Sequence, residues 1–166
     1  MTLGDGDARV DIEAIRQFLY HEAHLLDSWQ LEEWLALFAD ELTYWIPVRH
    51  ACTDPDLEVQ HAYDDRQRLG ERVERLGGRH AFAQQPRSRL SRIIANVSVL
   101  EHRADDIVVR STFLLSELRR GVTDQWAGTL VHRLRPAVEG QPYRIATKKV
   151  LLLASEEPID NLTFLL

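Results

Sequence analysis

A chain of 166 residues with 45% hydrophobic and 28% charged side chains has the make-up of one soluble globular domain over residues 1–166, neither disordered nor membrane-embedded. Its net charge of −6, from 20 basic and 26 acidic residues, argues against a nucleic-acid partner, because phosphate recognition calls for a basic surface. The single cysteine, Cys52, excludes an intrachain disulfide and cannot by itself hold an iron–sulfur cluster.

Residues 1–9, MTLGDGDAR, read as a flexible start lacking the basic and apolar regions of a secretory signal. The longest aliphatic run, Val150 to Ala154, is too short to cross a bilayer, so a cytoplasmic location without membrane contact is expected. At about 100° per residue, Ile12, Ile15, Phe18, Leu19, Ala23 and Leu26 share one arc, which predicts a first helix from near Asp7 or Asp11 to Leu26. Glu22 projects into the middle of that arc. A lone carboxylate there is costly unless paired, so Glu22 is either a buried, hydrogen-bonded structural group or a proton-transfer group in an interior pocket.

Asp27 followed by Gln30 has capping-box spacing and predicts a helix restart, with Leu31, Trp34, Leu35 and Phe38 on one face and Asp40 and Glu41 at its end. Leu42 to Val48, LTYWIPV, then reads as a strand, and His50 to Leu57 as a loop in which Asp54-Pro55 can open a helix. From Val59 to Leu76 the positions Val59, Ala62, Tyr63, Leu69, Val73 and Leu76 form a helical stripe with Arg66 at its centre. Two ionisable groups on two apolar faces predict that Arg66 approaches Glu22 or a backbone carbonyl. Gly77-Gly78 ends this helix, and a loop follows to Arg87.

Four segments rich in β-branched residues come next: Arg89 to Glu101, Ile107 to Arg119, Thr123 to Leu134 and Tyr143 to Ala154. Short links predict antiparallel neighbours, with Arg119-Arg120-Gly121 as a hairpin tip. In the third segment Trp126, Gly128, Leu130 and Leu134 alternate with polar residues, as in a sheet with one inward face. The apolar tail over residues 158–166 either packs back on the domain or meets a partner. Helices first and a long antiparallel sheet after is an α+β pattern.

Chemical motifs are sparse. His21 and His24 are three apart, not four as in HExxH, and both fall on the polar side of the first helix. Seven histidines permit a 2-His-1-carboxylate site by count alone, but no spacing asks for one. Neither a nucleophile elbow nor a phosphate loop occurs. Trp29, Trp34, Trp45 and Trp126 read as core side chains rather than cofactor stackers. Arg87, Arg89 and Arg92 read as a solvated row, or as salt-bridge donors to an acidic partner.

The run from His24 to Val48, HLLDSWQLEEWLALFADELTYWIPV, is similar to the small (β) subunit of the aromatic-ring-hydroxylating dioxygenases, the Rieske non-haem iron oxygenases. The resemblance continues through Tyr63-Asp-Asp-Arg66, Leu69, Arg72-Val-Glu-Arg-Leu76, Arg89 to Val97, and Asn161 to Leu166. It implies a cone-shaped NTF2-like (cystatin-like) fold, with a strongly curved antiparallel sheet of five to six strands wrapped around three N-terminal helices. It also implies a non-catalytic assembly subunit in aromatic hydrocarbon catabolism, with no catalytic, cofactor-binding or metal residue of its own. The two-iron two-sulfur Rieske cluster and the mononuclear iron would sit in a partner α subunit, in an α3β3 hexamer fed with electrons by a ferredoxin or reductase. Self-association of the chain into a trimer is expected with it. The alternative is a stand-alone NTF2-like isomerase or dehydratase, with Glu22, Tyr44, Asp40 and His24 as its pocket residues.

Overall fold

The computed structural model describes residues 10–78, 84–159 and 162–166. The expected flexible start over 1–9, the 79–83 part of the loop after Gly78, and positions 160–161 of the tail lie outside the described residues.

Helix α1 (Ile12–Asp27) begins where Asp11 accepts the free amides of Glu13 and Ala14, both at 3.1 Å, which selects the second of the two expected starts. The chain then reverses at Trp29, whose φ is 58°, and α2 (Leu31–Leu35) follows. Asp27 is not the cap of that helix. Gln30 holds the cap position without a side-chain bond, while the Asp27 carboxylate accepts from the Arg92 amide at 2.8 Å and from its guanidinium. A charged partner on another element outcompetes a local capping bond.

β1 (Phe38–Pro47) starts earlier than the predicted strand, so Phe38, Asp40 and Glu41 belong to it rather than to a long second helix. Phe38 falls four residues after Trp34, a helical spacing, yet the Leu37 carbonyl accepts from the Ile145 amide at 2.9 Å and the backbone is drawn into the sheet. The ring of Phe38 still packs edge-on against Trp34, with centroids 4.8 Å apart.

The predicted helix over Val59 to Leu76 divides in two. β2 (Gln60–Asp64) pairs antiparallel with β1, and α3 (Arg66–Gly77) starts after Asp65, which accepts from the Arg68 amide at 2.9 Å. Ala62 and Asp64 face inward while Tyr63 faces out against Trp45, a period of two that the helical template absorbed. Val59, placed on the apolar stripe, is exposed.

β3 (Arg89–Arg103), β4 (Asp106–Arg119), β5 (Val122–Pro136) and β6 (Tyr143–Leu152) match the four predicted segments and pair antiparallel in sequence. Arg120 and Gly121 both have positive φ, 50° and 79°, the requirement of a two-residue hairpin whose twist matches its strands. The strand order is β2-β1-β6-β5-β4-β3, and the sheet is open, with β2 and β3 at its edges. One pair departs from the antiparallel expectation, since β1 and β6 run parallel. Register shifts in β3, between β5 and β6, and between β1 and β6 bend the strands around the helices. α1 lies against β3, and α3 against β1 and β2. Among the described residues the result is an α+β arrangement of three helices in a curved six-stranded sheet.

The tail resolves in favour of packing back. Phe164, Leu165 and Leu166 are buried, and Phe164 meets Trp126 edge-on at 5.6 Å.

Candidate functional site

The inside of the sheet is mainly apolar, and one charged cluster within it draws on four elements. Glu22 from α1 is 2% exposed. One of its carboxylate oxygens accepts from Lys148 Nζ of β6 at 2.6 Å and from Trp34 Nε1 of α2 at 3.1 Å; the other meets His132 Nε2 of β5 at 2.9 Å. Lys148 Nζ also lies 5.5 Å from the centroid of the Trp34 ring. His132 Nδ1 is buried and has no partner among the described residues.

Burial acts on both charges in the cluster. By itself it would raise the Glu22 carboxyl, but Lys148 and His132 outweigh it and hold that group below its ordinary range. Burial lowers the Lys148 ammonium, with Glu22 offsetting part of the effect. With Glu22 firmly ionised, the arrangement is a buried ion pair closed by an indole and an imidazole.

A second layer lies beside it. The side chain of Arg92 is almost wholly buried, binds Asp27, and donates to the Leu165 carbonyl. Burial lowers its guanidinium and Asp27 opposes that shift. Tyr44 donates to the Leu166 carbonyl at 3.2 Å and accepts from the Leu166 amide at 3.1 Å. Burial pushes its phenol up to about 12. The tail is thus bonded across the interior, and the space left between Glu22, Lys148, Arg92, Phe113 and Leu166 is about 10 Å³. That is room for about one water and not for an organic substrate.

The candidate residues do not converge. Glu22 and Tyr44 are both buried beside Trp34, whereas Asp40 lines an open surface hollow of about 550 Å³ and His24 is exposed on α1. Arg66 is exposed and borders that same hollow rather than approaching Glu22; Lys148 and His132 take the place predicted for it. Of the arginine row, Arg87 lies over the Trp29 ring at 4.9 Å and Arg89 is exposed, while Arg92 is a buried tie rather than a solvated charge. Trp34 is fully buried, Trp29 and Trp126 partly so, and Trp45 sits on the outer face under Lys149, 3.9 Å from its centroid. His132 and Lys148 are not among the residues that local spacing singles out. The alternation noted through Leu130 and Leu134 runs through His132, and that of Val150 and Leu152 runs back to Lys148, so both inward positions were there to be read.

The donor set does not suit a redox metal. Cys52 is buried with its thiol directed to the Asp54 carbonyl at 3.3 Å, and among the described residues no three or more His, Cys, Asp or Glu gather as ligands. Nor is any described helix long and apolar enough to cross a membrane.

Comparison with known proteins gives this geometry a family. Residues 21–156 match the ring hydroxylating beta subunit family. The chain is 38% identical over 152 residues to the small oxygenase component of the p-cumate 2,3-dioxygenase system of Pseudomonas putida, covering 89% of this chain and 82% of that protein. The crystal structure of the β subunit of benzoate 1,2-dioxygenase from Burkholderia mallei superposes with a TM-score of 0.75 at 26% identity, over 95% of this chain and 99% of that one. An NTF2-like protein with a cystatin-like fold from Novosphingobium aromaticivorans, 16% identical, shares the fold with a TM-score of 0.61 over 86% of this chain and 82% of that one. The chain therefore belongs to the ring hydroxylating beta subunit family and is the small subunit of an aromatic-ring-hydroxylating dioxygenase, part of an oxidoreductase complex.

Proposed function

We propose that this chain is the scaffold half of its oxygenase and carries no catalytic, cofactor-binding or metal-binding residue. It joins an α subunit that holds the two-iron two-sulfur Rieske cluster and the mononuclear iron. The assembly is an α3β3 hexamer in the cytoplasm, supplied with electrons by a ferredoxin or reductase. What supports this reading most is the closed interior: both oxygens of Glu22 are engaged, and about 10 Å³ remains beside it. An isomerase or dehydratase of this fold needs an open apolar pocket around its acid, and here the tail fills that volume. Of the four residues of that alternative, Asp40 and His24 are exposed and lie apart from Glu22 and Tyr44.

Co-expression with the α subunit encoded beside it tests the proposal. A stable complex of three large and three small chains, with iron and acid-labile sulfide only in the large ones, is the expected result. Iron bound by the isolated small chain, or turnover of an aromatic substrate by it alone, contradicts the proposal.

A further inference from the structure

The outer face of the sheet has a composition unlike the rest of the chain. Ile93, Leu114, Ala127 and Leu153 stand side by side across β3, β4, β5 and the end of β6: Ile93 pairs with Leu114, Leu114 with Ala127, and the Leu153 amide donates to the Ala127 carbonyl at 2.8 Å. Ile93 is 61% exposed and Leu153 79%, so this row is open to solvent in a single copy. The outward positions of β3 to β6 around it, from Arg89 to Ala95, Arg110 to Leu118, Thr123 to Arg133 and Thr147 to Leu151, contain no carboxylate. Arg89 and Arg110 on this face are exposed and have no carboxylate partner among the described residues. In a chain of net charge −6, a carboxylate-free apolar face is a complement waiting for acidic, apolar contact.

The chain itself supplies one. Between β1 and β2, Leu57 and Val59 are each 80% exposed and are flanked by the exposed carboxylates Asp54 and Asp56. This loop begins beside the β6 strand of that face, where Lys149 donates to the Cys52 carbonyl at 3.2 Å, two strand spacings from β4, or roughly 10 Å along the sheet. It also lies at the height of the apolar row, because His50, in the same connection, bonds the Leu152 carbonyl at 2.6 Å. Within one copy the two patches stay uncovered, since Leu57 and Val59 on the loop and Ile93 and Leu153 on the row are all exposed. A neighbour can cover both, and such a head-to-tail contact between unlike patches forms a ring where its rotation closes.

We propose that the acidic, apolar-tipped loop Asp54 to Val59 of one protomer seats on the cationic apolar face around Leu114 of the next, and that three such contacts form the ring of small subunits. This rests on the assembly reading given above and assigns its self-contact to particular residues.

The test is cross-linking in the assembled complex with the α subunit. In a Cys52→Ala background, the double variant Leu57→Cys/Leu114→Cys is expected to give covalent dimers and trimers of the small chain on oxidation, while each single variant gives none. Leu114→Asp, with an unchanged circular dichroism spectrum, is expected to raise the concentration needed for trimer formation at least tenfold. A wild-type complex that assembles while the double variant yields no small-chain ladder overturns the contact, as does a Leu114→Cys cross-link to the α subunit. A ladder from a wild-type-like small chain that binds no α subunit supports the contact and overturns the assembly reading instead.

Discussion

Glu22 on α1 and Lys148 on β6, 126 residues apart in sequence, form a buried ion pair at 2.6 Å that fastens the first helix to the last strand. Removing one partner strands the other charge in the interior. Glu22→Gln is expected to lower unfolding stability by about 3–5 kcal/mol, and Lys148→Met by a similar amount. The double variant Glu22→Gln/Lys148→Met is expected to regain more than half of the summed loss, because the Gln side chain still accepts from Trp34 or His132 and no net charge stays buried. Urea unfolding at neutral pH measures all three, and simple additivity would exclude a direct coupling.

The same pair sets the acid limit of the fold. A carboxyl held below its ordinary range in the folded state contributes stability that is complete above the ordinary carboxylate pKa. As pH falls below that value, the unfolded chain takes up a proton that folded Glu22 refuses, and the contribution declines. Stability measured between pH 6 and pH 3 is expected to fall less steeply in Glu22→Gln than in the wild-type chain.

Tyr44 gives the alkaline counterpart. Its phenol is raised to about 12 from the ordinary 10.0, so its contribution is complete below pH 10 and is lost as pH rises through the folded value. Burial also raises the Tyr143 phenol, so spectrophotometric titration is expected to show late tyrosine ionisation whose last component is absent from Tyr44→Phe. That variant also gives up the bonds to Leu166 and is expected to cost about 1–2 kcal/mol.

Two glycines make a controlled comparison. A Cβ at Gly128 would lie 2.2 Å from the Leu151 carbonyl oxygen, against the backbone of the paired strand. Gly128→Ala is therefore expected to cost about 3 kcal/mol or more. At Gly70, inside α3, a Cβ meets nothing within 4 Å, and Gly70→Ala is expected to be neutral or to stabilise by about 0.5–1 kcal/mol. Thermal melts of the two variants separate steric from propensity effects.

The sheet was legible in the sequence where alternation ran long, from Arg89 to Leu152, and where Arg120-Gly121 supplied the turn. Short elements were not. The five residues of β2 offered too few alternations to stand against a helical stripe that Leu69 and Val73 carried onward. The burial of Glu22 followed from its place on the helical wheel, but its partners did not, because an ion pair spanning 126 residues leaves no local spacing. Asp27 failed for the same reason: a capping pattern is local, and Arg92, 65 residues away, claimed the carboxylate.

Turnover in a complex built around a small subunit without the ion pair bears most directly on whether this chain contributes contact rather than chemistry. The complex assembled with Glu22→Gln/Lys148→Met is expected to keep the iron content, product distribution and, within about twofold, the kcat of the wild-type complex. A fully assembled, iron-replete complex whose turnover falls by about 100-fold or more, the scale of a lost general acid or base, would contradict the account and place Glu22 in the reaction.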